Sequence, residues 1–127
     1  MQTTAINPSD GIYPATDYVH AMEVRGAERT LYVAGTMGLD AGGRPAPTLE
    51  AQLDLVWANI HRILAAAGMT ANNIVRVTSY LRDAAYAGAN QRARIAALGG
   101  RFVPTTAIVV ATLDPAWLVE IEVIAAA

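Results

Sequence analysis

Two apolar, β-branched runs close the sequence: PTTAIVVATL, starting at Pro104, and WLVEIEVIAA, ending at Ala126, joined through Asp114 and Pro115. Runs of this composition are strands and Asp-Pro marks a turn, so Pro104–Ala127 is expected to form an antiparallel hairpin. Strand geometry sends alternate side chains to opposite faces. Val119, Ile121 and Val123 therefore share one face, while Leu118, Glu120, Glu122 and Ile124 share the other. Two carboxylates thus lie in an apolar row. A carboxylate there needs a cation, hydrogen-bond donors or water, which makes Glu120 and Glu122 the first candidates for chemistry. The plain alternative is an Arg partner, or solvent along an edge strand.

The rest of the chain supplies layers for that segment. Thr3–Ile6 is a candidate short edge strand, ended by the turn-rich Asn7-Pro8-Ser9-Asp10-Gly11. Tyr18–Val24 and Thr30–Ala34 flank Arg25–Glu28 and are expected to pair as a β-hairpin. At the end of the second strand, Gly35 and Gly38 bracket Thr36 and Met37, where missing side chains let a ligand or another backbone approach closely. Thr48 is a good N-cap for a helix whose stripe runs Leu49, Leu53, Val56, Ile60, Ile63 and Ala67, widened by Trp57 and Leu64, with Gly68 just beyond its end. Gln52, Asn59, His61 and Arg62 fall off the stripe and are expected in solvent. Ile74–Leu81 alternates Val75, Val77, Ser79 and Leu81 against Ile74, Arg76, Thr78 and Tyr80. An Ala-rich helix follows over Tyr86–Leu98, ending at Gly99-Gly100. The order β-β-α-β-α-β, with a short extra N-terminal strand, predicts a single α+β domain with both helices on one face of the sheet. The other face has no local cover.

Composition narrows the function. The chain is 54% apolar and only 16% charged, a charge content low for a soluble domain, which points to surface covered by another subunit. Net charge is -2 with no basic run, so there is no electrostatic footprint for nucleic acid or an anionic membrane. With no Cys and two isolated His, neither thiolate chemistry nor a metal centre is expected. GTMGLDAGG lacks the Lys and spacing of a phosphate loop. Without a leader or an apolar run of spanning length, a cytoplasmic location is the default.

Four stretches carry a resemblance in order and spacing: LYVAGTMGLD, ANIHRILAAAGMTANNIVRVTSYLRD, the helix bearing Asn90, and PTTAIVVATLDPAWLVEIEVIA. Together they resemble the Rid or YjgF-like family, whose members include imine and enamine deaminases. The resemblance implies a chorismate-mutase-like α+β fold, a homotrimer with pockets between subunits, a small-molecule ligand and no cofactor. It places Tyr18, Gly35 and Asn90 on the family's pocket residues and Glu120 on the Glu that positions water. His20, Ala34 and Thr36 depart from the usual Gln, Ser and Gln. The sharpest departure is Thr106, where active deaminases carry the Arg that holds a substrate carboxylate. Substrate orientation would then fall to Asn90, the Thr106 hydroxyl and backbone N–H groups near Ala107 and Ile108. Arg92, Arg94, Arg101, Arg29 or a neighbouring subunit are the candidate replacement cations, and without one neutral or differently charged substrates are favoured. The expected function is hydrolysis of an imine, enamine or related labile intermediate with altered specificity. The alternatives are a non-catalytic metabolite-binding or regulatory trimer and, less favoured, a ribonuclease or translation inhibitor.

Overall fold

The computed structural model describes residues 1–127. Its element order is β1 (Gln2–Ile6), β2 (Ala21–Arg25), β3 (Thr30–Met37), α1 (Leu49–Ala66), β4 (Ile74–Leu81), α2 (Ala87–Ala97), β5 (Thr105–Val109) and β6 (Val119–Ala126), an α+β arrangement. The Thr48 hydroxyl accepts from the Ala51 N–H at the start of α1, and Gly68, at φ +70°, lets the chain leave it. A 3-10 turn at Ala84–Tyr86, capped by Asp83, leads into α2.

Strand neighbours differ from the local expectation in two places. The four-stranded sheet runs β3-β6-β4-β5, so β5 and β6 do not pair with each other. Instead β6 lies antiparallel between β3 and β4, and β5 lies parallel to β4 at the edge. The Asp114-Pro115 turn is real, with Asp114 Oδ1 accepting from the Ala116 N–H at 2.8 Å. It sits at the tip of a loop long enough to carry the chain across one strand. The strand buried on its inner face from end to end takes a central place, while the more exposed β5 takes the edge. Likewise β2 pairs with β1, from Gln2↔Arg25 to Ile6↔Ala21, and not with β3. The turn between β2 and β3 is bound elsewhere: Glu28 and Arg29 N–H both donate to the Ala127 carbonyl, and Ala127 N–H returns a bond to Arg29.

One sheet face is closed by the helices. Val33, Val77, Val119, Ile121 and Val123 meet Leu53, Val56, Ile60 and Leu64 of α1, with Leu98 and Val103 completing the core. Each fully buried Leu, Ile or Val adds about 1.5–3 kcal/mol. Three positions correct the periodic reading. Ile63 is 39% exposed, whereas Gln52 is 2% exposed and tied to three backbone groups. A register shift between Ile74 and Arg76 turns Ile74 into the core. The opposite sheet face is open. It carries Tyr32 from β3, Glu120, Glu122 and Ile124 from β6, and Arg76, Thr78 and Tyr80 from β4, beside Thr106 and Ile108 of the edge strand. No helix is long and apolar enough to cross a membrane.

Candidate active site

The two glutamates have different fates. Glu122 accepts a hydrogen bond from the Tyr80 hydroxyl at 2.6 Å, and that bond, followed by burial and the charges of both glutamates, holds the Tyr80 pKa above the usual phenol value. Glu120 is half-buried and receives no hydrogen bond or ion pair from the chain. Its carboxylate packs where a Cβ on Gly35 would stand. A bulge creates that seat: Ala34 and Gly35 of β3 together oppose the single Glu122, because the pairing shifts between Val33 and Thr36. Thr36 closes its hydroxyl onto the Ala34 carbonyl at 2.9 Å. Gly38 has a separate role. A Cβ there would lie 2.7 Å from Gln52 Cα, so the bare backbone lets α1 pack close to β3. Glu120, Glu122 and Tyr80 line a hollow of about 200 Å³ with Val110–Leu113.

Tyr18, His20, Thr106 and Ala107 gather elsewhere, in a cleft of about 420 Å³ at the open edge of β5. Asn90 lines an adjoining hollow of about 330 Å³ that shares Tyr18 and Ala107. Tyr18 is not in a strand, contrary to the expectation for Tyr18–Val24. Its segment is anchored by the buried Arg94 of α2, which pairs with the Asp17 carboxylate and donates to the Asp17 carbonyl at 2.8 Å. Burial first, then neighbouring Tyr13 and Asp17, raises the Tyr18 pKa. His20 contacts the Tyr13 carbonyl through Nε2 at 2.8 Å. A carbonyl only accepts, so Nε2 bears the hydrogen in this contact. Asn90 is 3% exposed and its amide oxygen has no donor. A buried acceptor left unmet costs about 1–3 kcal/mol, so this oxygen is open to an N–H donor.

The backbone of β5 adds donors. Val77 N–H donates to the Pro104 carbonyl and Val110 N–H to the Leu81 carbonyl. Alternation along a parallel ladder then turns Thr106 and Ile108 N–H toward β4 and leaves that of Ala107 on the open edge. Ile108 is 46% exposed and outside the cleft lining.

None of the expected replacement cations is offered to the cleft. Arg94 lines the Asn90 hollow but is committed to Asp17, Arg101 donates to the Ala71 and Ile74 carbonyls, Arg29 donates to the Ala67 carbonyl, and Arg92 is exposed on α2 outside the cleft lining. The guanidinium that does reach position 106 is that of Arg76, whose Nη2 donates to Thr106 Oγ1 at 3.1 Å. It was legible only as part of a mixed strand face, since its neighbour comes from a strand pairing that local pattern does not reveal.

The candidate residues thus fall into two groups within one chain: Glu120 with Gly35 and Thr36, and Tyr18, His20, Asn90, Thr106 and Ala107 together. β4 separates β6 from β5, a distance of roughly 10 Å at the usual strand spacing. Comparison with known proteins bears on such a layout. The family model described as Endoribonuclease L-PSP matches residues 9–127. A solved structure from Yersinia pestis, the Rid protein family member YyfB, shares 30% identity and superimposes with a TM-score of 0.86 over 100% of both chains. The chain belongs to the Rid/YjgF family. RidA from the Antarctic bacterium Psychrobacter sp. PAMC 21119 is also similar to this Rid-family chain, at 27% identity and a TM-score of 0.74 over 98% of this chain and 99% of the other. The RutC family protein YjgH of Escherichia coli strain K12 is 31% identical over 83 residues, 65% of this chain and 63% of YjgH. The match to YjgH therefore spans less than two thirds of that relative's length. The α+β arrangement is the YjgF fold.

Proposed function

We propose that this Rid-family chain is an enzyme that hydrolyses an imine, enamine or related labile intermediate in a pocket shared between neighbouring subunits of a homotrimer. The observation that carries the reading is the Glu120 carboxylate, half-buried over Gly35 and engaged by neither cation nor donor. A carboxylate so placed suits water delivery. As the water oxygen bonds to the imine carbon and the C=N π pair moves onto nitrogen, Glu120 takes one water proton and returns it to that nitrogen, giving a neutral carbinolamine. Transfer of the carbinolamine hydroxyl proton to the nitrogen, again through Glu120, then accompanies C–N cleavage, releasing ammonia and leaving a carbonyl. Asn90 contributes an acceptor for a substrate N–H, and Tyr18 a phenol, from the second group. The separation of the two groups within one protomer supports a site assembled by juxtaposed subunits.

Imines generated in place by an amino-acid oxidase, with carbonyl product followed over time, test this directly. The wild-type chain should accelerate release, and Glu120→Gln should lower the rate about 100-fold or more while the assembly stays intact by light scattering. Mixing Glu120→Gln with Asn90→Ala subunits, each nearly inactive alone, should restore part of the rate. No acceleration with either charged or neutral imines would remove the hydrolytic reading and leave a ligand-binding trimer. Retained inactivity in the mixture would place both residues in one subunit's site.

A further inference from the structure

All nine cationic side chains of the sequence are Arg. Arg25, Arg44 and Arg94 form ion pairs, with Glu23, Asp40 and Asp17. Arg29, Arg82 and Arg101 brace backbone carbonyls of loops and strand ends, Arg62 reaches Asn59, and Arg92 is exposed on α2 outside the cleft lining. Arg76 is different. Its guanidinium lines the cleft that holds Tyr18, His20 and Thr106, and no carboxylate oxygen lies within 4.0 Å of it. Glu122 shares a neighbouring hollow with Arg76, but accepts the Tyr80 hydroxyl. No acidic residue lines the cleft itself.

The contact with Thr106 orders donors. Thr106 Oγ1 accepts from Arg76, so its own hydrogen is free to point elsewhere. The edge N–H of Ala107 and the Tyr18 phenol face the same hollow. Only one guanidinium nitrogen is engaged by the protein, so the planar fork retains N–H groups able to meet two oxygens in parallel. A cation with no carboxylate in ion-pair contact, in a concave site furnished with O–H and N–H donors, suits an anion.

We propose that Arg76, seated on Thr106, is the specificity-determining residue of this cleft and holds the carboxylate of the ligand. The assignment rests on the preceding reading only in treating this cleft as the substrate-binding half of the site. It reverses the expectation that an uncharged residue at position 106 turns the protein toward neutral substrates. The guanidinium arrives from the adjacent strand, so the carboxylate is gripped from the open face of the sheet.

Binding of a stable carboxylate separates this claim from catalysis. Calorimetric titration would use 2-oxobutanoate, its uncharged methyl ester and inorganic phosphate as probes. Arg76→Gln should weaken 2-oxobutanoate about 10- to 100-fold and leave the ester unchanged. Adding Thr106→Arg to that variant should recover much of the affinity. Arg76 is exposed, so the variants should keep the wild-type denaturation midpoint and assembly, and either measurement would reveal a folding defect. Unchanged carboxylate affinity in Arg76→Gln, an equal loss for the ester, or phosphate binding as tight as the carboxylate would each overturn the proposal. Arg76-dependent carboxylate binding by a protein that hydrolyses no imine would uphold it and remove the hydrolytic reading. Imine hydrolysis by a wild-type protein whose carboxylate affinity ignores Arg76 would do the opposite.

Discussion

Gly35 and Glu120 illustrate how one missing methyl group can matter to chemistry more than to stability. A Cβ at position 35 would collide with the tip of the Glu120 side chain and with no backbone atom. The tip of a flexible side chain can swing away at little cost. Gly35→Ala should therefore change stability by less than about 1 kcal/mol yet lower imine turnover about tenfold or more, because a small displacement of a reacting group is expensive. Paired denaturation and rate measurements check this; equal losses in both would make Gly35 a packing residue only. The acidic row was legible in the sequence, since alternation along β6 sets Glu120 and Glu122 on one face whatever the neighbours are. The difference between them was not, because it depends on Tyr80 from another strand reaching Glu122 alone.

At the scale of elements, α1 shows both the power and the limit of periodicity. Its N-cap, its end at Gly68 and most of its buried stripe follow from local chemistry. Off the stripe, a polar residue such as Gln52 is ordinarily in solvent. Its amide instead donates to the Ala46 and Ala116 carbonyls and accepts from the Leu118 N–H, at 2.8–2.9 Å. It thereby ties the loop before α1 to the loop entering β6, two residues short of Glu120. Gln52→Ala should destabilise the fold by about 1–3 kcal/mol, since three part-buried hydrogen bonds to the backbone are lost; chemical denaturation measures it, and a loss below about 0.5 kcal/mol would mean that water replaces the amide readily. Strand identity was likewise local and readable, whereas strand order was not. The pattern of β5 and β6 cannot say that β4 will enter between them, because that choice is made by contacts distant along the chain. The meeting of Arg76 with Thr106 is hidden from local pattern for the same reason: parallel pairing aligns Thr78 with Thr106 and brings the β4 side chain to β5.

The whole molecule leaves large apolar side chains uncovered on its open face and along the edge strand. Tyr32 is 77% exposed and Ile108 shares its face, while Val109, 56% exposed, points to the opposite face of β5, and Val110 and Leu113, the latter 94% exposed, continue the strip beyond it. The low charge content anticipated covered surface, and the open face is where cover is missing. The trimer proposed for this chain would bury such a strip. Val109→Lys, which places a charge on the edge, should yield a soluble protomer by light scattering and abolish imine turnover while the helical signal persists. An intact, active assembly in that variant would put the subunit contact elsewhere.

The open side of β5 has a further implication for how such a chain must be made. Alternate amides and carbonyls along that border stay unmatched until a neighbour arrives, and an unguarded border of this sort invites runaway strand addition. Under the proposed trimer, newly synthesised copies are in a race between finding two companions and joining an indefinite stack, so recovery of native material on refolding should be better at intermediate concentrations than at either extreme.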